Sequence, residues 1–178
     1  MNGKSMLIVA AAVLVLTVVS GMAISAQDKY TLKLPDGVAF SDFKGYEDWR
    51  LISTSKTDDR MKVILGNPTI IAAFKSGTPG NGKPFPEGSK IAKVQWKPKK
   101  STEAPFVVDV PDTLADLFFM EKDSRRFAET GGWGYAQFDY DPASATYTPD
   151  KAGTPNCGNV CHVKVKTKDY VFHPYQSR

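Results

Sequence analysis

The chain has 178 residues, 42% of them hydrophobic and 24% charged, enough for one core of ordinary density but no more than one domain. Its net charge of +4 falls to +3 once residues 1–26, which hold Lys4 and no acid, are set aside, too small a surplus to argue for nucleic acid or a membrane surface as partner. Only two cysteines are present, so no four-thiol zinc site can be assembled.

The N-terminus has the form of an export signal. Lys4 supplies the positive end, residues 6–26 carry no charge, and the apolar run from Leu7 to Leu16 gives way to Ser20, Gly21, Ala23, Ser25 and Ala26. Cleavage after Ala23 or Ala26 leaves one domain, residues 27–178, outside the cytoplasmic membrane and therefore in the periplasm. The alternative is retention of residues 6–26 as a membrane anchor, since the uncharged run is 21 residues long.

A short helix over 43–49 would bring Tyr46 and Trp49 to one side. Strands are predicted over 49–55 and 60–65, with Thr57-Asp58-Asp59 as the turn between them. Asn67 is a good N-cap, Pro68 suits the first helical position and Gly77 the position past the end, so a helix is predicted between them, with Ile70, Ile71, Ala73 and Phe74 as its apolar stripe. Residues 76–89 hold four glycines and three prolines and are predicted to form a long loop. A strand follows over 90–96, then a connector over 98–105, then strand candidates over 106–110 and 114–120. Asp123 would cap a short helix over 124–129 closed by Gly131 and Gly132. Residues 133–140 are predicted as strand, 141–156 as a polar loop, and 170–172 as a last apolar segment. Five or six strands with a few short helices define an α+β domain, mainly antiparallel β-sheet. The basic runs 97–100 and 164–168 are expected to be solvated surface. Trp96, Phe118, Phe119, Trp133, Tyr135 and Phe138 are expected to be mostly core, with one or two at the site.

The chemistry concentrates near the C-terminus, in Cys157-Gly158-Asn159-Val160-Cys161-His162. Two thiols followed at once by an imidazole are read here as C-x-x-C-H, the spacing that attaches a c-type haem. The thiols add across the porphyrin vinyl groups, and the imidazole becomes the proximal iron ligand. A cysteine pair alone could serve as a redox disulfide or half a zinc site. One covalently attached haem c is therefore the expected cofactor, with Cys157, Cys161 and His162 binding it and His162 as the metal ligand. Sixteen residues follow His162, and none is methionine. Met61 and Met120 lie upstream in strand-like segments, and His173, beside Pro174, is assigned a surface or packing role. An iron without an evident sixth ligand points to small-molecule binding or chemistry rather than electron relay.

Three stretches resemble the cytochrome P-460 family, which includes the β-sheet cytochromes c′-β: residues 60–68, residues 86–96, and residues 122–135 with their Asp123-Ser124-Arg125-Arg126-Phe127 and Gly131-Gly132-Trp133-Gly134-Tyr135 blocks. The resemblance runs from about Gly45 to Tyr175 and implies a mainly antiparallel domain, usually homodimeric, with His162 proximal. In the hydroxylamine-oxidising members a lysine also bonds to the haem, five residues beyond the glycine of an acidic-Gly pair. Counting from Gly88 gives Lys93. The c′-β members keep a lysine there without the bond. Catalytic members have arginine where this chain has Lys62, and no distal carboxylate is placed, the loop before Cys157 offering only Asp150. The resemblance thus implies hydroxylamine oxidation or nitric oxide handling, with Lys62 and Lys93 as candidate catalytic residues, a small nitrogen-oxide or gas ligand, and a periplasmic electron-transfer partner. The alternatives are a gas binder for nitric oxide or carbon monoxide, and a simple electron-transfer cytochrome.

Overall fold

A computed structural model of the protein describes residues 26–35, 37–152 and 154–176. The predicted export segment lies outside the described residues except for Ala26. Six strands follow one another across a single sheet: β1 (Arg50–Lys56), β2 (Met61–Gly66), β3 (Lys90–Lys100), β4 (Asp109–Lys122), β5 (Trp133–Asp141) and β6 (Thr146–Pro149). Each pairs antiparallel with the next. The α+β, mainly antiparallel architecture expected from the sequence is the one observed.

Strand alternation divides the sheet into two faces. Val63, Leu65, Ala92, Val94, Leu117, Phe119, Ala136 and Phe138 point to one side, where Leu34, Val38, Phe40, Phe43 and Tyr46 cover them. Phe43 stacks on Phe119 with ring centroids 4.2 Å apart. The covering segment is held by short 3-10 turns, Phe40–Phe43 and Tyr46–Asp48, in place of the helix predicted over 43–49. The opposite face carries Ile64, Ile91, Met120, Trp133 and Tyr135 under α1 (Pro68–Lys75), Phe85 and Val171.

Asn67 caps α1 as predicted. Its Oδ1 accepts from the amides of Ile70 and Lys90, both at 3.1 Å, and its Nδ2 donates to the Gly88 carbonyl at 2.8 Å. One side chain therefore caps the helix and ties down the end of the 76–89 loop. In β1 the register slips by one at Ile52, a bulge that turns this residue into the second face and leaves its carbonyl to accept from the Gln176 amide at 3.1 Å.

Predicted elements in three further stretches are corrected. The connector at 98–105 and the separate candidates at 106–110 and 114–120 are replaced by a long β3–β4 hairpin whose loop is only 101–108. Pro98 sits opposite Pro111 at a register shift, so neither missing amide breaks a regular ladder bond. Phe106 and Val107 are exposed at the loop. Residues 124–129 form a turn on Asp123 Oδ1, which accepts from the amides of Arg125 and Arg126, and only Ala128–Thr130 is helical. The polar loop 141–156 contains β6, a four-residue edge strand too short and polar to announce itself.

Replacing Asn67 by alanine should destabilise the domain by about 1–2 kcal/mol, because cap and loop tie are lost together. Urea denaturation measures it, and a loss within error of zero would show that the cap carries no load.

Candidate functional site

The second face holds a cavity of about 460 Å³, within the roughly 300–1,000 Å³ usual for cofactor and ligand sites. Its floor is sheet: Ile64 on β2, Ile91 and Lys93 on β3, Phe118 and Met120 on β4, Tyr135 and Gln137 on β5. These share a face because Ile64 pairs with Lys93, Lys93 with Phe118, and Phe118 with Gln137. Its roof is the C-terminal segment, with Asn156, Cys157, Cys161, His162, Val171, Phe172 and His173. A second cavity of about 540 Å³ lies on the other side of Tyr135 and contains neither cysteine nor histidine. The chemistry belongs to the smaller one.

Three residues, not two, separate the thiols, so the hexapeptide is C-x-x-x-C-H and the C-x-x-C-H reading is corrected to that extent. The backbone takes up the extra residue. A helical turn, Thr154–Asn156, runs into a π-helical turn over Cys157–Cys161 and then a 3-10 stretch, His162–Lys168. The His162 amide is shared between the carbonyls of Cys157 and Gly158, the first a five-residue step and the second a four-residue step. A one-residue insertion absorbed as a π turn is common at functional sites. Gly158 lets this turn lie on the sheet: a Cβ there would stand 2.8 Å from the Tyr135 ring.

His162 is oriented on three sides. Tyr135 and Phe172 each place a ring 4.9 Å from the imidazole, and Nδ1 donates to the Tyr170 carbonyl at 2.6 Å. That bond assigns the proton to Nδ1 and leaves the Nε2 lone pair free. Burial lowers the His162 pKa, the Tyr170 bond opposes that, and the Lys93 charge adds to it. Neither thiol is in a disulfide; Cys157 is half-buried and Cys161 exposed. The Tyr135 hydroxyl is buried with no hydrogen-bond partner among the described residues, an open demand for a polar group at this wall. Two thiols, a lone-pair nitrogen, an orphan hydroxyl and an apolar cavity suit a haem.

Lys93 places its ammonium 3.8 Å from the Phe118 ring centroid, inside the cavity. Burial lowers its pKa, the nearby Lys62 lowers it further, and Cys157 and Asp116 pull the other way. Lys62 lies one pair outward, opposite Gln95, and is not among the lining residues, although its charge acts on Lys93 and on His173. The structure thus gathers Lys93 with Cys157, Cys161 and His162 and leaves Lys62 at the margin. His173, expected at the surface or in packing, lines the cavity. Asp150 accepts from the Ala152 amide and is outside the lining.

Sequence reading missed two carboxylates on this face, Asp116 and Asp139, both outside the cavity lining. Asp116 pairs with Gln95 on one side and Asp139 on the other, so it shares the face of Phe118 and Lys93. Burial raises its pKa, with Arg60 Nε 3.5 Å away opposing the rise. The signal was its two-residue spacing from Phe118, readable only once the strand's facing is known.

A cavity floored by an antiparallel sheet and roofed by a turn carrying two cysteines and an imidazole with an unprotonated nitrogen suits a haem protein of the cytochrome type. The chain matches the Cytochrome P460 family over residues 43–173 and belongs to that family. No curated protein matches it.

In the haem-free protein Cys161 should react with iodoacetamide before Cys157. Burial holds the Cys157 thiol above its ordinary pKa, so its rate should keep climbing to higher pH. Mass mapping of alkylated peptides against pH checks both, and equal rates would contradict the placement.

Proposed function

We propose that the protein is an exported, periplasmic cytochrome carrying one covalent haem c at an open iron site, where it oxidises hydroxylamine or handles nitric oxide. The observation carrying this reading is Lys93: an ammonium turned into the same cavity as Cys157, Cys161 and His162, resting on Phe118. A lysine drawn partly out of water into an apolar cavity is costly unless paired or used covalently.

When bound, the haem supplies the redox-active iron. Cys157 and Cys161 tether it, and His162 offers Nε2 to the metal. Lys93 is the residue placed for a second tether, a bond that would alter the electronics of the group. Asp116 stands on the same sheet face two residues from Phe118, outside the cavity lining, and its ionised carboxylate, made more basic by burial, is suited to accept a proton released at the margin of the cavity. Lys62 contributes positive potential at the margin of the cavity, favourable to anionic character in a bound nitrogen oxide. Electrons leave to a periplasmic partner, and the family resemblance favours a homodimer.

A second reading, a gas binder without turnover, is favoured by one observation: Phe118 and Phe172 line the cavity, and the ring of Phe118 already occupies the Lys93 ammonium. Aromatic crowding of that kind suits a small apolar ligand.

Two measurements separate these readings. Tryptic digestion of the holoprotein should yield a haem peptide containing both the Cys157–His162 segment and Lys93, and a Lys93 peptide free of haem removes the second tether. Asp116→Asn should slow hydroxylamine oxidation, followed with an artificial electron acceptor, on the order of 10²-fold. Steady gas binding with no oxidation in the wild type would leave the binder.

A further inference from the structure

The structure assigns a positioning role to the buried ion pair of Lys122 and Asp169. We infer that it holds the Tyr170 carbonyl against His162 Nδ1 and thereby sets how strongly that imidazole donates to iron. The inference rests on the proposed reading of His162 as the proximal ligand.

Lys122 ends β4 and is 5% exposed. Its Nζ donates to Asp169 Oδ1 at 2.9 Å and to the Gly131 carbonyl at 2.9 Å, while Asp169 Oδ2 accepts from the Phe85 amide at 2.7 Å. One carboxylate therefore joins the end of a central strand, the loop before β3 and the C-terminal segment. The residue after it is the one whose carbonyl holds His162.

The backbone between these points is unusual. Asp169 and Tyr170 are consecutive non-glycine residues with positive φ, 48° and 64°. Such a conformation persists where its surroundings over-determine it, and it concentrates at functional sites. Here the surroundings are explicit. The amides of Asp169 and Tyr170 donate to Lys166 and Val165, both at 3.1 Å, and the Tyr170 ring lies on Gly131, where a Cβ would come within 2.1 Å of it. Gly131 thus serves twice, as acceptor for Lys122 and as the flat seat for Tyr170. Without this arrangement the reversal at 169–170 would relax and the carbonyl would turn away from the imidazole.

A donor bond from Nδ1 to a fixed acceptor raises the basicity of the opposite nitrogen, which is how groups behind a metal-bound histidine tune the metal. An ion pair that merely closed the fold would alter stability and leave the imidazole unchanged. The two roles differ in what the iron reports.

The test uses the holoprotein with covalent haem. Asp169→Asn keeps an acceptor for the Phe85 amide and removes the charge. It should move the iron–histidine stretching band of the reduced protein to lower frequency and shift the reduction potential positive. Lys122→Met should do the same, and Lys122→Arg should restore band and potential toward wild type. Should Asp169→Asn fail to accumulate, Lys122→Gln, which retains a donor for the Gly131 carbonyl, reads the same band. Variants that keep their haem with band and potential unchanged overturn the inference alone. A wild-type protein with covalent haem but no iron–histidine band overturns the proximal assignment, and this inference with it.

Discussion

Antiparallel pairing of β3 with β4 sends alternate side chains to opposite faces of the sheet, and every functional placement in this protein follows from that alternation. Ala92, Val94, Leu117 and Phe119 go to the closed face and are sealed by the N-terminal segment. Ile91, Lys93, Phe118 and Met120 go to the other and meet the C-terminal segment. A slip of one residue would exchange the two sets, bringing Lys93 into the aromatic core and Phe119 into the cavity. Burial of Leu117, Phe119, Ala92 and Phe138 at or below 1% exposure makes that exchange prohibitive. The apolar face thus fixes the register, and the register places the reactive one.

The two faces are finished differently. The closed face is a conventional apolar core in which Phe40, Phe43, Phe119 and Phe138 make stacked and edge contacts. The cavity face is joined to its cover by polar devices: Asn67, the Ile52 bulge carbonyl, and the Lys122–Asp169 pair. Such links are directional, so they position a chain better than apolar contact does. They are also exacting, since leaving one charge of a buried pair alone costs about 3–5 kcal/mol. A cover that must hold an imidazole at one angle is better served by these than by packing alone.

Much of the fold was legible from local pattern. β1, β2, α1 and β5 fell close to where alternation, turn residues and capping placed them, because each is bounded by residues with strong local preferences. The β3–β4 hairpin was not, because two prolines in apposition read as a break along one strand and become harmless only in the pair. The helix drawn from Asp123 reduced to a turn, since Gly131 and Gly132 follow before a second turn can form. β6 lacked any apolar period, and its pairing with β5 is what makes it a strand.

The site divides along the same line. Cys157, Cys161 and His162 stand out in the sequence because two thiols and an imidazole lie together in one short stretch, and the family match was carried by contiguous blocks. Lys93 was reached by a count from Gly88, but its contact with Phe118 is a cross-strand relation that no local window contains. Asp116, the Tyr135 hydroxyl, the Tyr170 carbonyl and the Lys122–Asp169 pair were invisible, since each acts on a partner distant in the chain. Even the spacing of the thiols acquires meaning only in three dimensions, where a π turn absorbs the third intervening residue. Composition and order therefore pointed to the Cytochrome P460 family, which implies a haem, and to the kind of sheet that carries the site. Tertiary structure alone decided which side chains face it, because side-chain facing is set by pairing and burial across the whole domain rather than by neighbours along the chain.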